Sequence, residues 1–125
     1  MPEEKSGLYY FFYNFVINAC DVNQKDIDIA AAVKSAVREF DPTAEVVLFG
    51  SRARGDARSD SDYDFLVLLN IPLDFKLKGR ILDRLYEVEL NLDCVLGLLI
   101  KNVDQWQMLE NTPIYFEINH DGITI

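Results

Sequence analysis

Between Gly50 and Asp64 the chain gathers the residues best suited to handling phosphate, in the order G-S-R-A-R-G-D-A-R-S-D-S-D-Y-D. Asp62 and Asp64 stand two residues apart. On a strand, where successive side chains alternate between faces, that spacing puts both carboxylates on one side. Two like charges held side by side repel each other, and folding gains nothing from them. A divalent cation resolves the repulsion, and oxygen-only sites that leave room for substrate phosphates suit Mg²⁺. Just upstream, Gly50-Ser51 follows an apolar run, so backbone N–H groups and a hydroxyl can approach a ligand closely. Arg52, Arg54 and Arg58 place half of the chain's six arginines within seven residues, and guanidinium groups match phosphate oxygens. Phosphate donors beside paired metal-binding carboxylates imply phosphoryl or nucleotidyl transfer to a hydroxyl.

The flanking sequence must hold these residues in place. Val46-Val47-Leu48-Phe49 reads as a buried strand from about Glu45, and Tyr63 to Leu69 as a second. Ahead of them, Ile27, Ala30, Val33, Val37 and Phe40 recur at helical spacing, with Asn23 as N-cap and Asp26 in the first turn. Asp41-Pro42 ends that helix. Asp74 is positioned to cap a second helix, whose apolar face is Leu77, Ile81, Leu82, Leu85 and Val88. Asn91 to Leu96 is then expected as a third strand, with Asp93 inside it. The tail holds a short helix around Val103 to Leu109, an Asp121-Gly122 turn and a closing strand from Ile123. The pattern predicts an α/β (α+β) domain, a small mixed sheet flanked by helices.

At 125 residues the chain has material for one core. Half of its residues are hydrophobic and 26% are charged, with a formal net charge of −9 and a pI near 4.4. That balance argues against a broad nucleic-acid surface, which is basic, and leaves space for a local positive pocket at the arginines. Cys20 and Cys94 read as reduced thiols. Asp56 and Asp60 read as solvated loop charges, His120 as a surface residue and Trp106 as core or partner contact. Residues 1–22 stand apart, with six of the fifteen aromatics between Tyr9 and Phe15. Glu3, Glu4 and Asn14 argue against a signal peptide, and the run is too short to span a bilayer. It reads either as an extra element packed on the domain or as an apolar patch that docks on a partner. The expected organisation is thus an extension at 1–22 and a domain at 23–125, without a membrane anchor and located in the cytoplasm.

Gly50-Ser51, ten intervening residues and Asp62-x-Asp64 resemble the signature of the DNA polymerase β-like nucleotidyltransferases. G-S-R-A-R-G followed by S-D-Y-D is similar to the minimal nucleotidyltransferases, small proteins often paired with HEPN-domain partners. The likeness runs from about Val22 to Ile125 and is most specific from Phe49 to Asp64. It implies transfer of a nucleoside monophosphate, AMP from ATP or another NTP, to a hydroxyl. In it Gly50, Ser51, Arg52 and Arg54 bind the nucleotide, and Asp62 and Asp64 hold Mg²⁺. The family's third carboxylate falls on the strand after the second helix, which assigns Asp93 to the catalytic and metal set, with two ions expected. Because larger relatives carry a separate acceptor domain, the resemblance also implies a HEPN-type partner in a hetero-oligomer, with the chain as antitoxin. An aminoglycoside-type antibiotic nucleotidyltransferase and a non-catalytic partner-binding inhibitor are the alternatives.

Overall fold

The structure, a computed structural model, describes residues 24–125. Readings that fall on residues 1–22, and Asn23 as a helix cap, lie outside the described residues. In chain order the elements are α1 (Gln24–Arg38), β1 (Glu45–Phe49), α2 (Ser51–Arg54), β2 (Tyr63–Leu69), α3 (Phe75–Leu92), β3 (Leu96–Asn102), α4 (Val103–Gln107), α5 (Pro113–Asp121) and β4 (Ile123–Thr124). The four strands form one mixed sheet in the order β3-β2-β1-β4. β1 is antiparallel to both β2 and β4, while β2 and β3, joined through α3, are parallel.

The pleat divides the apolar residues between two layers. Tyr63, Phe65, Val67 and Leu69 of β2 join Val46 and Leu48 of β1 and Leu96 and Ile100 of β3 against α1 and α3. On the opposite face Leu66 packs with Trp106 and Ile118, bordered by Val47, Phe49, Leu99 and Tyr115. Trp106 is therefore core, its ring 4.8 Å from that of Tyr115. This alternation decides where the acidic motif lies: Asp64, between Tyr63 and Phe65, faces the α4–α5 side of the sheet.

The helix boundaries follow from local chemistry. Asp74 caps α3 by accepting from the Leu77 amide at 2.7 Å. Asn102 and Gln105 form a reciprocal capping box on α4. Thr112, followed by Pro113 in the first turn, opens α5. Asp41 does more than end α1. Buried to 3% exposure, it accepts from the Thr43 amide and hydroxyl and from the Asn70 amide at 2.7–2.9 Å, pinning the entry of β1 to the exit of β2. Burial alone would raise its pKa, but the Asn70 and Thr43 hydrogen bonds outweigh it and hold the carboxyl below the ordinary range.

One expected element is placed differently. Asn91 and Leu92 complete α3 and are not strand. Leu85, Val88 and Leu92 continue the helical stripe past the point where the strand was expected. Asp93 closes the helix in the left-handed conformation, φ 50°, with its N–H donating to the Glu89 carbonyl. β3 starts only at Leu96, whose amide donates to Glu89 Oε2 at 2.7 Å.

Candidate active site

The residues at Gly50–Asp64 meet at one end of the sheet, where β1 stops and where β2 and β3 begin. Phe49 pairs with Asp64 across the antiparallel ladder, and Asp64 pairs with Gly97 across the parallel one. The half-buried Asp64 carboxylate thus has a glycine on either side. A methyl group built on Gly50 would collide with its Oδ2, and one built on Gly97 with its Oδ1. Gly50 also holds φ 75°, a conformation that favours glycine. The residues immediately after it wind into α2, bringing Ser51 to the sheet end. Asp62 lies one residue ahead of β2 and is exposed.

Burial is the main reason the Asp64 pKa is raised; the charges of Asp62 and then Glu117 push the same way, and Arg54 opposes them. The two aspartates therefore repel, as their spacing suggests. Glu117, on α5, was not expected at this end of the sheet, and no local signal marked it. Its carboxylate lies 3.9 Å from Arg54 Nη1, and the Arg54 Nε is 3.4 Å from Asp56. Arg54 is thus positioned where it counters the acidic pair. A polar cleft lined by Ala53, Arg54, Asp56, His120 and Asp121 opens alongside. Arg58 is exposed and pairs with Asp60 at 3.7 Å.

Two assigned residues lie elsewhere. Arg52 turns inward and does not present its guanidinium as a phosphate contact. Its Nη2 donates to the carbonyls of Ser59 (3.2 Å) and Ser61 (2.8 Å), Nη1 lies 3.6 Å from Asp26, and the group sits 4.1 Å above the Tyr63 ring. The Tyr63 hydroxyl donates to Asp26, and burial, then that bond, raises its pKa far above the usual phenol value. The physical reason is the alternation of the strand: with Asp62 and Asp64 on one face, Tyr63 must point to the other, towards α1. Asp26, read as a helix-start charge, is the buried anchor of this cluster. Asp93, expected on the strand as the third carboxylate, is instead the end of α3, and its carbonyl accepts from Lys25 Nζ at 2.9 Å. No cluster of three or more His, Cys, Asp or Glu residues able to hold a metal ion occurs among the described residues. Cys94 is a free, half-buried thiol whose pKa is raised chiefly by burial. No described helix is long and apolar enough to cross a membrane.

The donor chemistry nevertheless fits a magnesium ion. Mg²⁺ is commonly held by one or two carboxylates together with substrate phosphates; Asp64 supplies one from a cradle that a side chain at position 50 or 97 would fill, and exposed Asp62 supplies a second beside it. Two predictions follow from this geometry. Gly97→Ala is expected to displace the Asp64 carboxylate, lowering transfer about 100-fold, the effect of a roughly 1 Å misplacement. It should cost only about 1–3 kcal/mol of stability, as overpacking does; urea unfolding with a transfer assay measures both. Asp93→Asn keeps a residue tolerant of the left-handed conformation, so transfer and melting temperature should both stay near wild type. A 100-fold loss of transfer with the fold intact would restore Asp93 to the site.

A strand, a Gly-Ser turn into a one-turn helix and an acidic pair opening the next strand define a nucleotidyl-transfer type of site. A family model described as a nucleotidyltransferase domain matches residues 30–121, and the chain belongs to that family. The probable protein adenylyltransferase MntA of Haemophilus influenzae is similar, 35% identical over 60 residues that cover 48% of this chain and 53% of that protein. The chain thus matches about half the length of that curated relative. A crystal structure of a MntA–HpeT toxin-antitoxin complex with a mutated residue overlays at a TM-score of 0.49 and 19% identity, covering 84% of this chain and 72% of that one.

Proposed function

We propose that the chain transfers AMP from ATP to a hydroxyl on a partner protein, of HEPN type, and acts as the antitoxin of the pair in the cytoplasm. The observation that carries the transfer is the Asp62–Asp64 pair beside the Gly50-Ser51 turn, with Asp64 held in a two-glycine cradle. The adenylyl donor and protein acceptor are supported by the name of the Haemophilus relative; the HEPN partner rests on the resemblance of the G-S-R-A-R-G and S-D-Y-D segments. Asp62 and Asp64 would hold Mg²⁺, which supplies positive charge to the triphosphate and favours ionisation of the attacking hydroxyl. The first turn of α2 offers the Ser51 hydroxyl and backbone to phosphate oxygens. Arg54 is released from Glu117 and Asp56 to neutralise the leaving pyrophosphate. The acceptor hydroxyl gives up its proton to solvent water at the open site, and its oxygen forms the new bond to the α-phosphorus as the bond to pyrophosphate breaks. Tyrosine is the acceptor that the family resemblance implies, and exposed Asp62 leaves the site open to a side chain carried on another protein.

The test is co-expression with the protein encoded beside it, followed by intact-mass analysis of that partner. An added AMP on the partner, absent with Asp64→Asn, is expected. Transfer to an aminoglycoside and never to the partner would overturn the proposal in favour of antibiotic modification. A tight complex with no transfer to either would make the chain an inhibitor by occlusion.

A further inference from the structure

Asp64 has Gly97 of β3 on one side and the end of β1 on the other, and the two sides are not alike. The β1 side carries Ser51, the turn of α2 and, at its end, Arg54. A triphosphate whose α-phosphorus stands at the Asp62–Asp64 pair meets these donors by running towards β1. The next strand outward in the sheet is β4. Ile123 of β4 pairs with Leu48, which brings the end of α5 beside the end of β1. The polar cleft next to Arg54 opens there, about 680 Å³ in volume, with Arg54 and Asp56 on its α2 side and His120 and Asp121 at the end of α5. Small-molecule sites have this volume but are mostly apolar. Polar walls suit the charged end of a nucleotide better than its base.

His120 is exposed, yet its ring is held. Nδ1 lies 2.8 Å from Asp121 Oδ1, and the Phe116 ring stacks on the imidazole, with centroids 5.7 Å apart and planes 13° from parallel. An N–H at Nδ1 donates to the carboxylate, which leaves Nε2 for a ligand. His120 stands in the last turn of α5, where the helix dipole favours a cation. An anion at Nε2 together with Asp121 at Nδ1 favours the doubly protonated ring. The other cation of the cleft is Arg54, which faces Asp56 and Glu117. Arg54 can leave those exposed pairs at little cost. His120 has no need to leave Asp121, because one nitrogen holds the carboxylate while the other meets a phosphate oxygen.

We propose that His120 is the second cation, with Arg54, for the terminal phosphate of the nucleoside triphosphate and for the pyrophosphate that departs. The cleft between α2 and the end of α5 is then the place the leaving group occupies. This deepens the transfer reading and rests on it for the direction in which the phosphates run.

His120 is the chain's only histidine, so its ring C–H resonances can be followed in the full protein by proton NMR. With Mg²⁺ present, ATP and inorganic pyrophosphate should each move them. AMP, which has no phosphate beyond the α position, should leave them in place. In the transfer assay His120→Gln, a change at an exposed position, should raise the inhibition constant of pyrophosphate several-fold. His120→Lys, which keeps a cation, should restore most of the inhibition. Movement by AMP or adenosine as large as that by ATP would make the cleft a base site and overturn the proposal. Equal movement by sulfate at matched ionic strength would overturn it as an unspecific anion effect, and so would an unchanged inhibition constant in His120→Gln. Resonances that stay fixed while the ³¹P signals of pyrophosphate broaden would place the leaving group elsewhere and leave the transfer reading standing. Resonances and ³¹P signals that both stay fixed would overturn it as well. A chain whose His120 answers to pyrophosphate but that never transfers AMP keeps this contact and loses the transfer reading.

Discussion

Asp64→Asn is expected to reduce nucleotidyl transfer at least about 100-fold, the upper end of what losing even an outer-shell partner of a metal ligand costs. In Mg²⁺-free buffer at neutral pH the same variant should melt at a higher temperature than wild type. Both outcomes have one cause. Burial, Asp62 and Glu117 raise the Asp64 pKa in the folded protein, so its ionised form is disfavoured there relative to the unfolded chain. Between the unfolded value, about 3.9, and the raised folded value, the native state binds more protons than the unfolded state. Stability then falls as pH rises through that window. The advantage of asparagine should therefore be absent below the unfolded value and fully present above the folded one. Added Mg²⁺ should raise the melting temperature of wild type and leave the variant unmoved. Equal melting temperatures at every pH, or undiminished transfer, would remove Asp64 from the site.

The motif was legible because its signals are local. An apolar run, a Gly-Ser break and two carboxylates at a spacing of two each constrain neighbouring residues, and β1, β2 and the Asp62–Asp64 repulsion appear where those constraints put them. What was missed depends on partners far apart in sequence. Asp26 looks like any acidic residue near a helix start, and only the packing of α1 on β2 makes it the acceptor of the Tyr63 hydroxyl, 37 residues away. Arg52 and Arg54 are indistinguishable by type, yet position 52 points under the loop and position 54 out beside Glu117. Asp93 is assigned through the family resemblance, on a strand read from an apolar run that a helix end shares with a strand start. Gly97 did carry a signal, since a lone glycine within a strand marks a close approach; the carboxylate of Asp64 is what approaches.

Arg52 supplies the other large effect, and the two roles it has been given make opposite predictions. A phosphate contact would tolerate Arg52→Lys in the fold, weaken nucleotide binding and leave the melting temperature of the free protein unchanged. The structure calls for the reverse. Arg52, only 10% exposed in its side chain, is in ion-pair contact with buried Asp26, donates to two loop carbonyls and lies over the Tyr63 ring. Removing it with Arg52→Ala leaves Asp26 a buried charge without its ion-pair partner, with the Tyr63 hydroxyl still donating to it, and breaking a buried pair from one side costs about 3–5 kcal/mol. Lysine cannot restore the contacts, because a single ammonium does not reproduce the planar fork that serves two carbonyls and stacks on a ring. Both variants should unfold at lower urea without nucleotide present, with alanine the worse. Asp26→Asn combined with Arg52→Met should recover part of the loss, since neither charge is then left unpaired. The segment between Gly55 and Asp62 hangs on the Ser59 and Ser61 carbonyls, so its loosening should carry Asp62 with it and lower transfer in step with stability. Wild-type urea resistance in Arg52→Lys, with only nucleotide affinity reduced, would return Arg52 to the phosphates.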